Sequence, residues 1–302
     1  MEIPSVSLEE LFAAGCHFGH ATHRWNPKMK PYIFGERGGV HIIDLDKTVN
    51  ALERALKATY DITARGGRVL FVGTKMQSQQ EVMEAATRSG QYFVNARWLG
   101  GMLTNWKTIS QSVKRFKDLE TKLAGDLTGY TKKERLNMER DAAKLRQNLG
   151  GIKEMHSLPD LVISLDTIKE AIAIQEAITL HIPIIAIVDS NSNPAGVTYP
   201  IPGNDDATSA IKLYCDVFAR TILAGIEKSV AGAGGDLGEK TDVAITSGAA
   251  TVADGEATIA SVTAEQAQSD NKDEGETVAE SSDEQKSKKS DGKKTAASKK
   301  KK

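Results

Sequence analysis

The segment Cys16-His-Phe-Gly-His-Ala-Thr-His-Arg-Trp-Asn-Pro-Lys-Met-Lys30 holds three of the chain's six histidines and one of its two cysteines. Cationic and aromatic side chains follow at once. Imidazole and thiolate are metal ligands and candidate catalytic groups, whereas cations beside aromatic rings neutralise phosphates and stack on bases. Three chemistries are therefore open for one stretch.

A metal site draws on His17, His20 and His23 at spacing i, i+3, i+6. On a helix the outer pair would lie about 240° apart, so only two could share a face. A loop could instead gather His17 and His20 and add Asp189, Asp205 or Asp206, acids expected at strand ends on the ligand-collecting edge of an α/β sheet. No Cys-x-x-Cys or His-Glu-x-x-His pattern accompanies them.

Catalysis finds less support. Val72-Gly-Thr-Lys75 follows a strand and precedes a helix, the right place for a phosphate cradle, but lacks the spacing of a triphosphate loop. Gly232-Ala-Gly-Gly-Asp-Leu-Gly238 imitates a dinucleotide fingerprint outside any strand–helix context. Cys16 beside His17 is adjacency, not a demonstrated nucleophile–base pair. A nucleotide-binding α/β enzyme stays as the alternative class, since such a fold does not itself imply function.

The nucleic-acid reading has more material. Between His17 and Arg37 stand Arg24, Lys28, Lys30 and Arg37, interleaved with Trp25, Tyr32 and Phe34, against Glu36 as the one acid. A second cluster, Asn95 to Lys107, carries Arg97, Trp98, Asn105, Trp106 and Lys107 around Gly100-Gly101. The plain alternative is loops packed over a sheet edge, with Trp25 and Trp98 as core plugs.

These residues need a scaffold. Ser7 with Glu10 predicts a capping box opening a short helix that closes at Gly15. Val40–Ile43 reads as a strand, and Asp46 as the cap of a long helix carrying Val49, Leu52, Leu56 and Ile62 up to Gly66-Gly67. Strands at Arg68–Val72, Tyr92–Val94, Leu161–Leu165 and Ile184–Val188 alternate with helices at Ser78–Ser89 and Thr167–Leu180. A final helix spans Asp206–Lys228. Short apolar strands separated by helices predict a parallel sheet covered on both faces, a three-layer α/β fold.

One segment breaks that rhythm. Trp106, Ile109, Val113, Phe116, Leu119 and Leu123, then Leu136, Ala143, Leu145 and Leu149 beyond a Gly125–Gly129 turn, predict an antiparallel helical hairpin over about 104–150 with coiled-coil spacing. From Lys114 to Arg146 it carries 10 Lys/Arg against 6 Asp/Glu.

The net charge of −1 hides a segregated tail. Residues 231–285 hold 2 Lys against 13 acids, and 286–302 hold 9 Lys against Asp291 alone. So little apolar surface predicts disorder, leaving residues 1–230 as the fold. The two distant cysteines make no disulfide framework and no secretory leader opens the chain, so a cytoplasmic protein is expected. The longest apolar run is too short to span a bilayer, which argues against a membrane protein.

Three long blocks carry a resemblance: GCHFGHATHRWNPKMKPYIFGERGGVHIIDLDKT, ARWLGGMLTNWKTI, and LPDLVISLDTIKEAIAIQEAITLHIPIIAIVDSNSNPAGVTYPIPGNDDATSAI. Together they resemble the bacterial small-subunit ribosomal protein S2 family over about residues 3–228. The resemblance implies a flavodoxin-like parallel sheet with an inserted coiled-coil arm and a non-catalytic, ribosome-bound role needing no cofactor. It also implies contact with small-subunit rRNA at the head–body junction and help in docking the large OB-repeat ribosomal protein that captures mRNA. Arg24, Trp25, Asn26, Lys28, Lys30 and Arg37 fall in its first block, Arg97 and Asn105 in its second. By their chemistry these residues, with Lys107 and the arm's Lys114, Arg115, Lys117, Lys132, Lys133 and Arg135, are the candidate RNA contacts. His17, His20, Asp189 and Asp205 remain candidates for a structural ion.

Overall fold

The computed structural model describes residues 3–125 and 129–232. The tail expected over 231–302 lies outside the described residues, except its first two positions, which continue the last helix.

Ser7 and Glu10 form the expected capping box, and α1 (Leu8–Ala13) ends ahead of Gly15 at φ 76°. The histidine-rich stretch is less irregular than its Gly and Pro content predicts. It contains β1 (Phe18–Ala21), followed by 3-10 turns at Thr22–Arg24 and Pro27–Tyr32. β1 joins β2 (Ile33–Arg37) and β3 (Val40–Ile43) in an antiparallel sheet ordered β1-β3-β2. Gly38 and Gly39, both with positive φ, turn the β2–β3 hairpin in two residues, a turn that side-chain-bearing residues resist.

The cap of α2 (Leu45–Thr63) is Asp44 rather than Asp46: Asp44 Oδ1 accepts from the Asp46 amide at 3.2 Å. Asp46 sits instead in the first turn, where its charge suits the helix dipole.

The main sheet contains β4 (Val69–Val72), β5 (Tyr92–Val94), β6 (Leu161–Ser164), β7 (Ile184–Val188) and β8 (Tyr199–Pro202), all parallel, in the order β5-β4-β6-β7-β8. Counted within this sheet, the order is 2-1-3-4-5, that of flavodoxin-like doubly wound proteins. Sequence reasoning missed β8 because Tyr-Pro-Ile-Pro carries two prolines, which only an edge strand accommodates.

Side chains leave the strands alternately to two cores. Val69, Phe71, Leu161, Ile163, Ile185 and Ile187 pack toward α2, α3 (Gln79–Ser89) and α7 (Thr208–Gly232). Leu70, Val72, Val162, Ile184, Ala186 and Val188 pack toward α6 (Ala171–Thr179), the 98–103 loop and the base of the helical arm. Helices on both faces of one sheet make the three layers that the apolar strands predict. The helix expected over Thr167–Leu180 is shorter, because Asp166 Oδ1 takes the Ile168 and Lys169 amides and holds residues 167–170 as turns.

The arm consists of α4 (Trp106–Ala124) and α5 (Lys132–Leu149), which pack on each other. The contact face of α5 differs from the expected one. Ala142, not Ala143, is buried, and Leu136 is 46% exposed. Burial follows Met138, Ala142, Leu145 and Leu149 on α5 and Ile109, Val113 and Phe116 on α4, and it is deepest at the base.

What fixes that base is Glu176 on α6. Its buried carboxylate accepts hydrogen bonds from Trp98 Nε1 and from the amides of Gly101, Leu103 and Thr104, and one from Thr104 Oγ1, all at 2.8–3.1 Å. Burial alone would raise its pKa, but these donors hold it below the ordinary carboxylate value. The stability it contributes is therefore complete above about pH 4.5 and is lost as pH falls through the lowered value. Glu176→Gln, which faces donors with an amide NH2, is expected to cost about 3 kcal/mol at pH 7. Urea unfolding should show the gap to the native chain narrowing below pH 4; a gap constant with pH would refute this role.

Candidate nucleic-acid interface

The N-terminal segment is bolted to the carboxyl edge of the main sheet. His20 N donates to Ser190 Oγ and Asn26 N to Ser190 O, both at 2.8 Å. The approach is so close that a Cβ on Gly19 would stand 2.8 Å from Ser190 Oγ and 3.1 Å from Asp189 Oδ1. Met29 is fully buried in the second core, and Asn26 caps the following turn through the Lys28 amide at 3.0 Å. With Asn26 and Met29 held, Arg24, Lys28 and Lys30 project to solvent, as does Arg37 at the end of β2. Among the described residues none of these four cations forms an ion pair. Trp25 is not a core plug: it is 37% exposed and tilts against the His41 ring at 5.4 Å between centroids.

In the second cluster Trp98 is buried, as its plain alternative held, while Arg97, Asn105 and Lys107 are exposed. On the arm Lys114, Lys132 and Lys133 are exposed and unpaired among the described residues. Arg115 faces Asp141 at 3.8 Å, and Lys117 bonds Glu154 at 3.1 Å. Arg135 is half-buried near the start of α5, so it is not a free tip cation.

The histidines separate. His17 stacks on Phe12 with centroids 4.4 Å apart and touches neither acid, so it leaves the ion candidates. The groups that converge are His20, Asp189 and Asp205, whose ligand atoms lie within 4.8 Å of one another. His20 also bridges Asp189 at 3.0 Å and Asp206 at 3.2 Å. Asp189, through its hydrogen bond, holds the imidazole pKa above its usual value. Burial, with the neighbouring charges of Asp189 and Asp166, pushes Asp205 up to about 7 despite Lys75.

Sequence reasoning weighed Lys75 as part of a phosphate cradle. Its ammonium is spent internally, 2.6 Å from Asp206, 2.9 Å from Asp205 and 3.4 Å from Asp166. Burial works against that charge, but the hydrogen bonds to Asp206 and Asp205 more than offset it. A tetrahedral ion with bonds near 2.0–2.2 Å needs donors about 3.3–3.6 Å apart, so the His20–Asp189 contact at 3.0 Å would have to open slightly. The donor types fit such an ion.

The sequence pattern of the ribosomal protein S2 family matches residues 11–225. The chain belongs to the ribosomal protein S2 family. Small ribosomal subunit protein uS2 of Bartonella tribocorum is 58% identical over 245 residues, 81% of this chain and 92% of the relative. The uS2 proteins of Brucella anthropi and Brucella suis are each 57% identical over 245 residues, 81% of this chain and 96% of the relative. Membership identifies a structural protein and not an enzyme, from a family that generally has no cofactor. No described helix is long and apolar enough to cross a membrane.

Sequence reasoning overlooked an aromatic hollow of about 560 Å³ on the small sheet, lined by Phe12, His17, Phe18, Phe34, Arg37 and Ile42. Phe12 is 61% and Phe34 80% exposed. The sequence reading assigned no strand to residues 33–37, so nothing marked Phe34 as part of an exposed sheet face.

The acidic cluster generates a pH prediction. A raised folded pKa means that Asp205 favours folding most below about pH 4 and loses that contribution as pH rises toward 7. In chelator-treated protein, the stability of Asp205→Asn relative to the native chain is expected to rise between pH 4 and 7. A difference that is flat or falls over that range would contradict the assigned direction.

Proposed function

We propose that the chain is a structural constituent of the small ribosomal subunit that binds small-subunit rRNA at the head–body junction. In this reading it also helps to dock the large OB-repeat ribosomal protein that captures mRNA, and it works bound to cytoplasmic ribosomes. The observation that carries the RNA reading is the set of exposed cations Arg24, Lys28, Lys30 and Arg37, unpaired among the described residues, beside half-exposed Trp25, on a segment held rigid by buried Met29 and by Ser190. Cations so placed give up little conformational freedom on contacting phosphate, and Trp25 offers a face to an unpaired base. The relatives' names as small-subunit proteins support the same assembly.

Arg97, Asn105 and Lys107 extend this surface, and α4 and α5 carry it outward as a coiled-coil arm over about 104–150. Burial of Ile109, Val113 and Phe116 against Met138, Ala142, Leu145 and Leu149 follows the alternating three- and four-residue steps of a heptad seam. Of the arm's candidate contacts, Lys114, Lys132 and Lys133 form no ion pair among the described residues, whereas Arg115 and Lys117 face Asp141 and Glu154. The tail after residue 230 remains part of the proposal as an acidic and then lysine-rich extension. The aromatic hollow around Phe34 suits an apolar anchor of the docking protein, since exposed clustered aromatics are the usual core of such contacts. A structural divalent ion at His20, Asp189 and Asp205 is the secondary element.

Four outcomes test the reading. Replacing Lys28 and Lys30 with alanine should weaken rRNA binding and reduce the slope of log K against log salt by about 0.7–0.9 for each phosphate that is no longer neutralised. Neutralising Lys132 and Lys133 should do likewise, and an unchanged slope would make the arm a protein contact. Phe34→Ala should weaken capture of the OB-repeat protein about tenfold while leaving rRNA binding intact. Zn²⁺ should raise the melting temperature of the chelated chain but not of His20→Asn; equal responses would remove the ion from the reading.

A further inference from the structure

An open parallel sheet collects ligands where its strand order reverses, in the crevice outside the carboxyl ends of the strands. Here that point lies between β4 and β6, the neighbours whose connections leave toward opposite edges of the sheet. A hollow of about 310 Å³ opens there, lined by Thr74, Arg97, Trp98, Lys169, Glu170 and Ile172 among others. Its size is at the lower end for small-molecule sites.

One wall is chemically unfinished. Glu170 is 1% exposed, and its Oε1 accepts from Thr74 N at 2.7 Å and from Thr74 Oγ1 at 2.6 Å. Its Oε2 has no hydrogen-bond partner among the described residues. Thr167 Oγ1, 8% exposed on the same turn, also lacks one. A buried acceptor left unmade is costly, and the group that completes it is an N–H or O–H donor. The rim supplies the complementary features: Arg97 and Lys169 are exposed cations, and Ile172 offers apolar surface at 57% exposure. Lys75, the cation nearest in sequence to Thr74, is committed to Asp166, Asp205 and Asp206 and is not available to a ligand here.

We propose that this crevice takes a single nucleotide, whose base donates an exocyclic amine to Glu170 Oε2 while its phosphate lies against Arg97 and Lys169. The inference rests on the RNA-binding reading above and adds to it a site that recognises one base. An unstacked rRNA residue and a free nucleotide share this chemistry. Cytosine and uracil separate the key contact, since they present an amine and a carbonyl respectively at position 4.

The test has two arms. In the first, the full chain is titrated with CMP and UMP, followed by tryptophan emission. The native protein should prefer CMP by about tenfold. Glu170→Gln, which keeps an acceptor for Thr74 and puts an amide NH2 where Oε2 stood, should invert that preference toward UMP. Arg97→Ala, a surface change, should abolish the advantage of CMP over cytidine. In the second, small subunits carrying the native chain or Glu170→Gln are probed chemically at unpaired base edges. One base protected by the native chain should regain reactivity with the variant while the protein stays bound.

Binding of CMP with no protected base identifies a free nucleotide as the occupant; a protected base without CMP binding identifies rRNA. If neither appears while the protein remains on the subunit, the crevice proposal is overturned and the ribosomal reading stands. If the native chain is absent from the subunit, the ribosomal reading fails, and the CMP titration alone decides the crevice.

Discussion

One buried carboxylate decides where much of this molecule's surface can be. Glu176 takes five hydrogen bonds from a loop seven residues long, Trp98 to Thr104, with side-chain and main-chain donors converging on its two oxygens. Left without it, the amides of Gly101, Leu103 and Thr104 would face a largely apolar layer with no partner, a cost that the fold could not absorb repeatedly. Because the loop is held, Met102 and Leu103 stay buried in the second core, and α4 starts at a set position and direction. The arm, its exposed lysines and the side chains of Arg97 and Asn105 all inherit their positions from that one acid.

A second electrostatic knot does for the N-terminal segment what Glu176 does for the arm. Asp166, Asp189, Asp205 and Asp206 converge on the sheet's carboxyl edge, where burial and their mutual repulsion push Asp205 up to about 7. Lys75 and His20 lie among them at 2.6–3.4 Å, so the cluster is held by its own cations. Since His20 is carried by β1, neutralising the acids and fastening the small sheet to the large one are the same act. The flexible-looking histidine stretch thereby becomes a rigid platform for Arg24, Lys28 and Lys30.

The parts legible in the sequence were those governed by burial on both faces. β4, β6 and β7 are almost wholly apolar, and their spacing leaves room only for crossover helices, so a covered parallel sheet followed from composition and order. β8 was hidden by Pro200 and Pro202, whose edge position depends on a neighbour that no local pattern reveals. β1 was hidden because Phe-Gly-His-Ala pairs with β3 on one side and leaves Phe18 half exposed. On α5 the choice between Ala142 and Ala143 could not be made from two identical side chains; the partner helix makes it. Pairing His17 with His20 failed for a similar reason. Three residues apart at the start of a strand, the two imidazoles leave on different sides, one to Phe12 and one to Asp189.

The edge of the sheet that collects ligands in doubly wound proteins has here been turned largely inward. The lysine after β4 binds carboxylates of its own chain, and the Thr74 amide, where a phosphate oxygen could sit, is taken by Glu170. With the loop's amide and cation both satisfied from within, a triphosphate would have to displace an ion pair and a charge-assisted hydrogen bond before gaining anything. That accounts physically for a non-catalytic protein built on a scaffold that elsewhere supports catalysis. In the proposed function, recognition outside the nucleotide crevice falls on segments that the scaffold only holds still: the N-terminal loop, the 96–107 loop and the arm. Their charges need not be buried or tuned, so rigidity of support, rather than polarity of a pocket, becomes the property that the fold must maintain.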